Sequence, residues 1–266
     1  MAYVTPLLTG VVEAVKKSVL PLDRDFAELE QLQNSVKSIK NFVMSSYSKL
    51  EQNLKMELSK IRPDIPVFTT NNKISGHSYF AISPIEAITN FAHGNADFAV
   101  SVALIENDIT VCGVIYNPAH DEMFFAQHGK GAYKEGPRNH ERLRVSSVKD
   151  AQGLLVGFNA DFDGTQERFL HLQENILKST GNLRISGCLA LDLAYVAAGK
   201  LDATVGLNAH FASIAAGLLM ITEAGGIIRA LDQKDARDTG LNDVKQTGNV
   251  VASNFAFGSK ILSLLK

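Results

Sequence analysis

The chain has 266 residues, 45% of them hydrophobic and 20% charged, with a net charge of −2, a composition that gives one large domain or two small halves sharing a core and excludes a disordered chain. The near-neutral balance carries no electrostatic footprint of a general nucleic-acid binder, so there is no direct nucleic-acid signal. Two cysteines, Cys112 and Cys188, both among apolar neighbours, speak against a disulfide framework or a thiolate metal site and fit a reducing compartment. With no basic leader ahead of an apolar segment, and no apolar run long enough to span a bilayer, the expectation is a cytoplasmic protein without a membrane segment.

Taken in order, residues 7–20 place Leu7, Leu8, Val11, Val12, Val15 and Val19 on one helical stripe that Pro21 should end, with a more charged segment 25–33 able to extend the helical region. A second helix is expected at 47–61, where Tyr47, Leu50, Leu54, Leu58 and Ile61 recur every three or four residues before Pro63. A short strand at 66–69 runs into a polar loop. Four strands follow, at 79–82, 97–106, 110–116 and 122–126, with a hairpin through Asn107-Asp108 and a turn at 129–133. This reads as an antiparallel sheet with its helices before it.

After a polar stretch at 135–151 the rhythm changes to strand 154–158, helix 165–178, helix 189–198, strand 203–205, helix 211–223 and strand 226–230. A strand at 250–253 and a helix at 260–265 close the chain. The expected architecture is a single layered α+β and α/β domain over 1–266, with helices plus an antiparallel sheet in 1–150 and an α/β half in 151–266. No internal repeat or low-complexity tract interrupts it.

The stretch Phe80-Ala-Ile-Ser-Pro-Ile-Glu-Ala-Ile-Thr-Asn-Phe-Ala-His-Gly94 is where a strand delivers functional groups to its carboxyl end. It offers Ser83, Glu86, Ala87 and Ile88 where acidic metal ligands would be expected. Asp161-Phe-Asp-Gly-Thr165 begins like a calcium loop but lacks the later oxygen positions and the distant glutamate, which favours a loop or helix cap. His120-Asp-Glu122 reads as a solvated turn, Asn90 as a turn stabiliser, and His93 as ordering the same loop. Cys188 is read as a small buried hydrophobe rather than a nucleophile.

Six colinear segments resemble the inositol monophosphatase family, including its bacterial branch named after the extragenic suppressor SuhB. They are Thr89-Asn-Phe-Ala-His-Gly94, Phe98-Ala-Val-Ser-Val-Ala-Leu104, Gly113-Val-Ile-Tyr-Asn-Pro118, Gly129-Lys-Gly-Ala-Tyr133, Leu191-Asp-Leu-Ala-Tyr-Val-Ala-Ala-Gly199 and the run from Ala215 to Gly226. The resemblance implies an αβαβα sandwich, a homodimer, and hydrolysis of a phosphate monoester by magnesium ions held between carboxylates.

The metal motifs depart from that pattern. The family's Asp-Pro-Ile-Asp-Gly-Thr-Thr-Asn turn is here Ser83-Pro-Ile-Glu-Ala-Ile-Thr-Asn90, so the aspartates become Ser83 and Glu86, and the water-activating threonine becomes Ile88. The first glutamate of the family's Gly-Glu-Glu loop falls on Thr70, and its Trp-Asp pair on Ala212-Ser213. The substrate-contacting glutamate falls on Gly206, and Gly187-Cys188 stands in the family's Gly-Ser/Thr turn. With Asn90, Gly187, Cys188 and Gly206 these positions line the expected pocket. Hydroxyls are weak neutral ligands for a hard cation, so no metal or other cofactor is expected, with magnesium on Glu86 only if residual activity remains. The expected function is a binding or regulatory protein on a phosphatase scaffold. Its partners are a protein of the transcription antitermination machinery or a small sugar or sugar phosphate; the alternative is a weak magnesium-dependent inositol-1-phosphate phosphatase.

Overall fold

The computed structural model describes residues 5–32, 36–70, 76–161, 164–231, 241–258 and 260–265. Asn71, Phe162 and Asp163 of the loops discussed above lie outside the described residues. The chain opens with α1 (Pro6–Leu32) and α2 (Val36–Ile61). Thr5 Oγ1 accepts the Leu8 N–H at 3.3 Å, and Pro6 takes the first helical position, where its missing N–H costs nothing. Pro21 does not end α1 as its sequence suggested. It sits on the exposed side, so the carbonyl one turn earlier, at exposed Lys17, faces water, while Val15, Val19 and Leu22 stay buried. The second helix also starts earlier than expected.

The first sheet runs β1 (Val67–Thr69), β2 (Tyr79–Glu86), β3 (Ala99–Glu106), β4 (Ile109–Asn117), β5 (Glu122–Gln127), β6 (Gly131–Lys134) and β7 (Glu141–Arg142) in spatial order. It is antiparallel except at its edge, where β1 pairs parallel with β2. Asn107 and Asp108 take φ of 51° and 63° in the expected hairpin, the left-handed pair a two-residue turn requires. The segment 129–133, expected as a turn, is half strand. Glu223 accepts the Gly129 and Gly131 N–H groups at 2.6 and 2.7 Å, and the chain beyond pairs with β5.

Between the sheets' strands come the short α3 (Ile88–Ala92), β8 (Val156–Ala160), α4 (Gln166–Thr180), β9 (Leu183–Arg184), α5 (Leu189–Ala197), β10 (Ala203–Leu207), α6 (Phe211–Glu223), β11 (Ile227–Ala230), α7 (Leu241–Thr247), β12 (Val250–Ser253) and α8 (Ile261–Leu264). The second sheet has the order β11-β12-β10-β8-β9, with β8, β9 and β10 parallel and β12 antiparallel to its neighbours.

Alternation along the strands sets the layers. Phe80, Ile82, Val100, Val102 and Leu104 face α1 and α2 in one core. Tyr79, Ala81, Ala99 and Ala103 face α5 and α6 in the next, which Val250 and Ala252 of the second sheet complete. Val156, Phe158, Val205 and Val251 face α4 and α8 in a third. The result is the expected αβαβα sandwich. Among the described residues no helix is long and apolar enough to cross a membrane.

Candidate functional site

Pro84 has no N–H to give β3, and the ladder slips around it: Ser83 pairs with Ser101, and the next pair is Glu86 with Ala99. A bulge at a strand end re-aims the side chain that follows it. Ala87 then turns the chain with a left-handed φ of 63° to start α3, a conformation that favours glycine.

These residues form one wall of a cleft of about 440 Å³. The carboxyl ends of β8 and β10 supply Asn159, Asp161 and Asn208, and the starts of α5 and α6 supply Leu189, His210 and Ser213. A crevice outside the carboxyl ends of parallel strands is where an α/β sheet binds ligands. Among the described residues lining it the acidic side chains are Glu86 and Asp161, alongside His210, and none is a lysine or arginine.

Glu86 is at the centre of this wall. The Ser83 hydroxyl donates to its Oε2 at 3.3 Å, and the Ser213 hydroxyl bonds the same carboxyl. Burial raises its pKa above the usual glutamate range; the two hydroxyls and His210 oppose that rise, and Asp161 adds to it. The structure therefore brings Ser83, Glu86, Ile88 and Ser213 together around one cleft. Thr70 is not among the residues lining this cleft; its Oγ1 lies 3.4 Å from the Tyr47 hydroxyl of α2, which Glu86 acts on electrostatically.

The other sequence-derived pocket residues support the walls from behind. Asn90 Nδ2 donates to the carbonyls of Asp97 and Ser186 at 2.7 and 2.8 Å, which joins the α3 loop to the turn before α5. Gly187, at φ +80°, lines the cleft, and a Cβ there would sit 3.2 Å from Asn90 Nδ2. Cys188 is fully buried, and burial pushes its thiol well above the ordinary value, a state unsuited to nucleophilic attack. Gly206 lies inside β10, where a Cβ would come 2.3 Å from Leu189 Cδ2; Leu189 covers it from the cleft.

Sequence reasoning missed the support under the α5 wall. Asp192, 2% exposed, accepts from Asn159 Nδ2 at 2.6 Å, Ser186 Oγ at 2.9 Å and Thr204 Oγ1 at 3.4 Å. Asn159 in turn accepts the Gly187 N–H at 2.7 Å. A Cβ on Gly157 would lie 2.3 Å from Asp192 Oδ2, so that glycine is what admits the carboxylate. The available signal was positional: Asn159 and Asp161 follow a predicted strand, and His210 precedes a predicted helix, both places where α/β sheets put ligand groups. Among the described residues no group of three or more His, Cys, Asp or Glu side chains could hold a metal ion.

Residues 4–265 match the Inositol monophosphatase family. The chain is 36% identical over 269 aligned positions to an inositol-1-monophosphatase of Mesorhizobium japonicum, covering 98% of this chain and 96% of that protein. It is 29% identical to the Nus factor SuhB of Pseudomonas aeruginosa over 94% of this chain and 92% of that one. The crystal structure of the extragenic suppressor protein suhB from Bartonella henselae aligns with a TM-score of 0.84 at 30% identity, covering 98% and 99% of the two chains. With its layered fold, its cleft at the strand ends and a match along nearly its whole length, the chain belongs to the inositol monophosphatase family.

Proposed function

We propose that this chain uses the inositol monophosphatase scaffold as a binding or regulatory protein and has lost the metal-dependent phosphatase reaction. The observation that carries this reading is the pairing of Glu86 with the hydroxyls of Ser83 and Ser213, two residues at positions where the family's carboxylates would stand. Magnesium needs anionic oxygens in a tight shell to offset its dehydration. Here the carboxyl groups of Glu86, whose pKa burial raises, and Asp161 share the site with neutral hydroxyls. Ile88 has no hydroxyl with which to orient a water. The donor set does not fit a two-magnesium centre.

What remains is a cleft able to hold a sugar without turnover, and an outer surface free to bind proteins. Because a relative is named a Nus factor, the protein partner we propose belongs to the transcription antitermination machinery, bound by a homodimer. An affinity capture from native extract should recover a polymerase-associated factor; recovery of none would argue against that part.

A second reading, residual magnesium-dependent hydrolysis of inositol 1-phosphate, is favoured by Asp161, which lines the same cleft and acts electrostatically on Glu86. The discriminating experiment is phosphate release from inositol 1-phosphate with magnesium, alongside calorimetric titration of magnesium. The expected result is no release above buffer and no millimolar binding. Release by the wild type that Glu86→Ala and Asp161→Asn abolish would overturn the loss of activity.

A further inference from the structure

We propose that the cleft and the apolar groove beside it form one elongated site for an amphiphile with an uncharged, hydroxyl-rich head and an alkyl chain. The inference rests on the reading of the cleft as a binding site without turnover. The groove, about 590 Å³, runs between α2 and α3 and is lined by Ile39, Val43 and Met44 on one side and Ile88 and Ala92 on the other. Ile88 and Thr89 line both the groove and the cleft, so the two spaces adjoin across those two residues. Ile88, in place of a hydroxyl residue, carries the groove's apolar surface up to the cleft edge.

Charge selects the head. A phosphate or carboxylate entering the cleft would meet the carboxyl groups of Glu86 and Asp161 and find no lysine or arginine among the described lining residues, whereas a neutral hydroxyl can pair with His210 and with the carboxyl of Asp161. Size selects the chain over a protein segment. The groove is lined by eight residues and lies in the range of small-molecule pockets, ~300–1,000 Å³. Stable protein docking needs roughly 800 Å² per partner. Met44 is 49% exposed on the groove wall, and Lys40 at the same wall can lay its methylenes along a bound chain.

The test is calorimetric titration of the full chain with butyl, hexyl and octyl glucosides below their micellar concentrations. Affinity should rise by up to about 4-fold per methylene, the equivalent of ~0.8 kcal/mol of apolar burial, and octyl phosphate should bind more weakly than octyl glucoside. Met44→Glu, at an exposed position of the groove wall, should abolish the increment from butyl to octyl. Ile88→Thr should reduce the increment severalfold. Equal affinity for butyl and octyl glucosides, or an increment that survives Met44→Glu, overturns the proposal. So does a Met44→Glu variant that changes only the oligomeric state in sedimentation, which would assign the groove to a second copy. Phosphate release from inositol 1-phosphate, measured separately, would sink the loss-of-activity reading without touching the chain-length increment.

Discussion

Ala87 holds a left-handed φ of 63° without a glycine's freedom, at a cost of about 1 kcal/mol. Ala87→Gly should therefore raise the stability read from urea titrations by up to about 0.6 kcal/mol, once the greater entropy of the unfolded glycine is subtracted; a lower stability would mean that the Cβ is held by packing that outweighs the strain. Asp192 gives a pH signature. Burial pushes its carboxyl up to about 6 against the pull of Ser186, Asn159 and Thr204, while the unfolded chain titrates near ~4. Between those values the folded state holds a proton that the unfolded state releases. Stability from this group is thus fully present below pH ~4 and is lost as pH rises through about 6. Asp192→Asn should flatten that part of the stability profile in urea titrations at a series of pH values; an unchanged slope would place the titration elsewhere. Ser83, Glu86 and Ser213 were legible in the sequence because motif register fixes where each residue falls. The Asp192 to Asn159 to Gly187 chain was not, because it joins segments about thirty residues apart through contacts that only the fold creates.

Elements with one strong local signal were legible. The helix expected at 211–223 is α6 at the same bounds, because a strongly apolar segment of that length, with Ser213 near its start, is too long for a strand. The Asn107-Asp108 hairpin followed from turn chemistry alone. Prolines misled in both directions. Pro21 was read as a stop, yet packing of Val11, Val15, Leu22 and Leu29 against α2 carries α1 straight through it, since tertiary burial outweighs a break of about 3 kcal/mol. Pro84 was read as the turn itself, and is instead the bulge inside β2. Pro21→Ala should restore the missing helix bond and stabilise the protein by about 1–2 kcal/mol in thermal melts. No gain would mean that water already satisfies the Lys17 carbonyl. At the level of the loop between elements, Asn90→Ala removes two hydrogen bonds that join α3 to the turn before α5. It should cost about 1–3 kcal/mol and speed amide exchange at the Gly187 turn more than in β3 or β4.

In the whole molecule, the middle layer decides how the two sheets behave. The pair α5 and α6 buries one face on the first sheet and the other on the second, so a single core contains Ala81, Ala103, Val250 and Ala252 together. Neither sheet keeps a covered inner face if the other leaves, which predicts one cooperative unfolding transition despite the change of rhythm near residue 150. A close approach of strand to helix backbone in that layer is at Gly113 of β4, where a Cβ would come 2.7 Å from the Ala216 Cα. The obstacle is helix backbone, which cannot rotate aside, so Gly113→Ala must push α6 off the first sheet. Overpacking of this kind costs about 1–3 kcal/mol. Because α6 also carries Ser213 to Glu86, the same displacement should disturb the cleft. Differential scanning calorimetry of Gly113→Ala should show one transition at lower temperature, with the calorimetric and van't Hoff enthalpies still equal. Two separated transitions, the first sheet's lowered and the second's unchanged, would mean that the halves fold independently and that the middle layer belongs to only one of them.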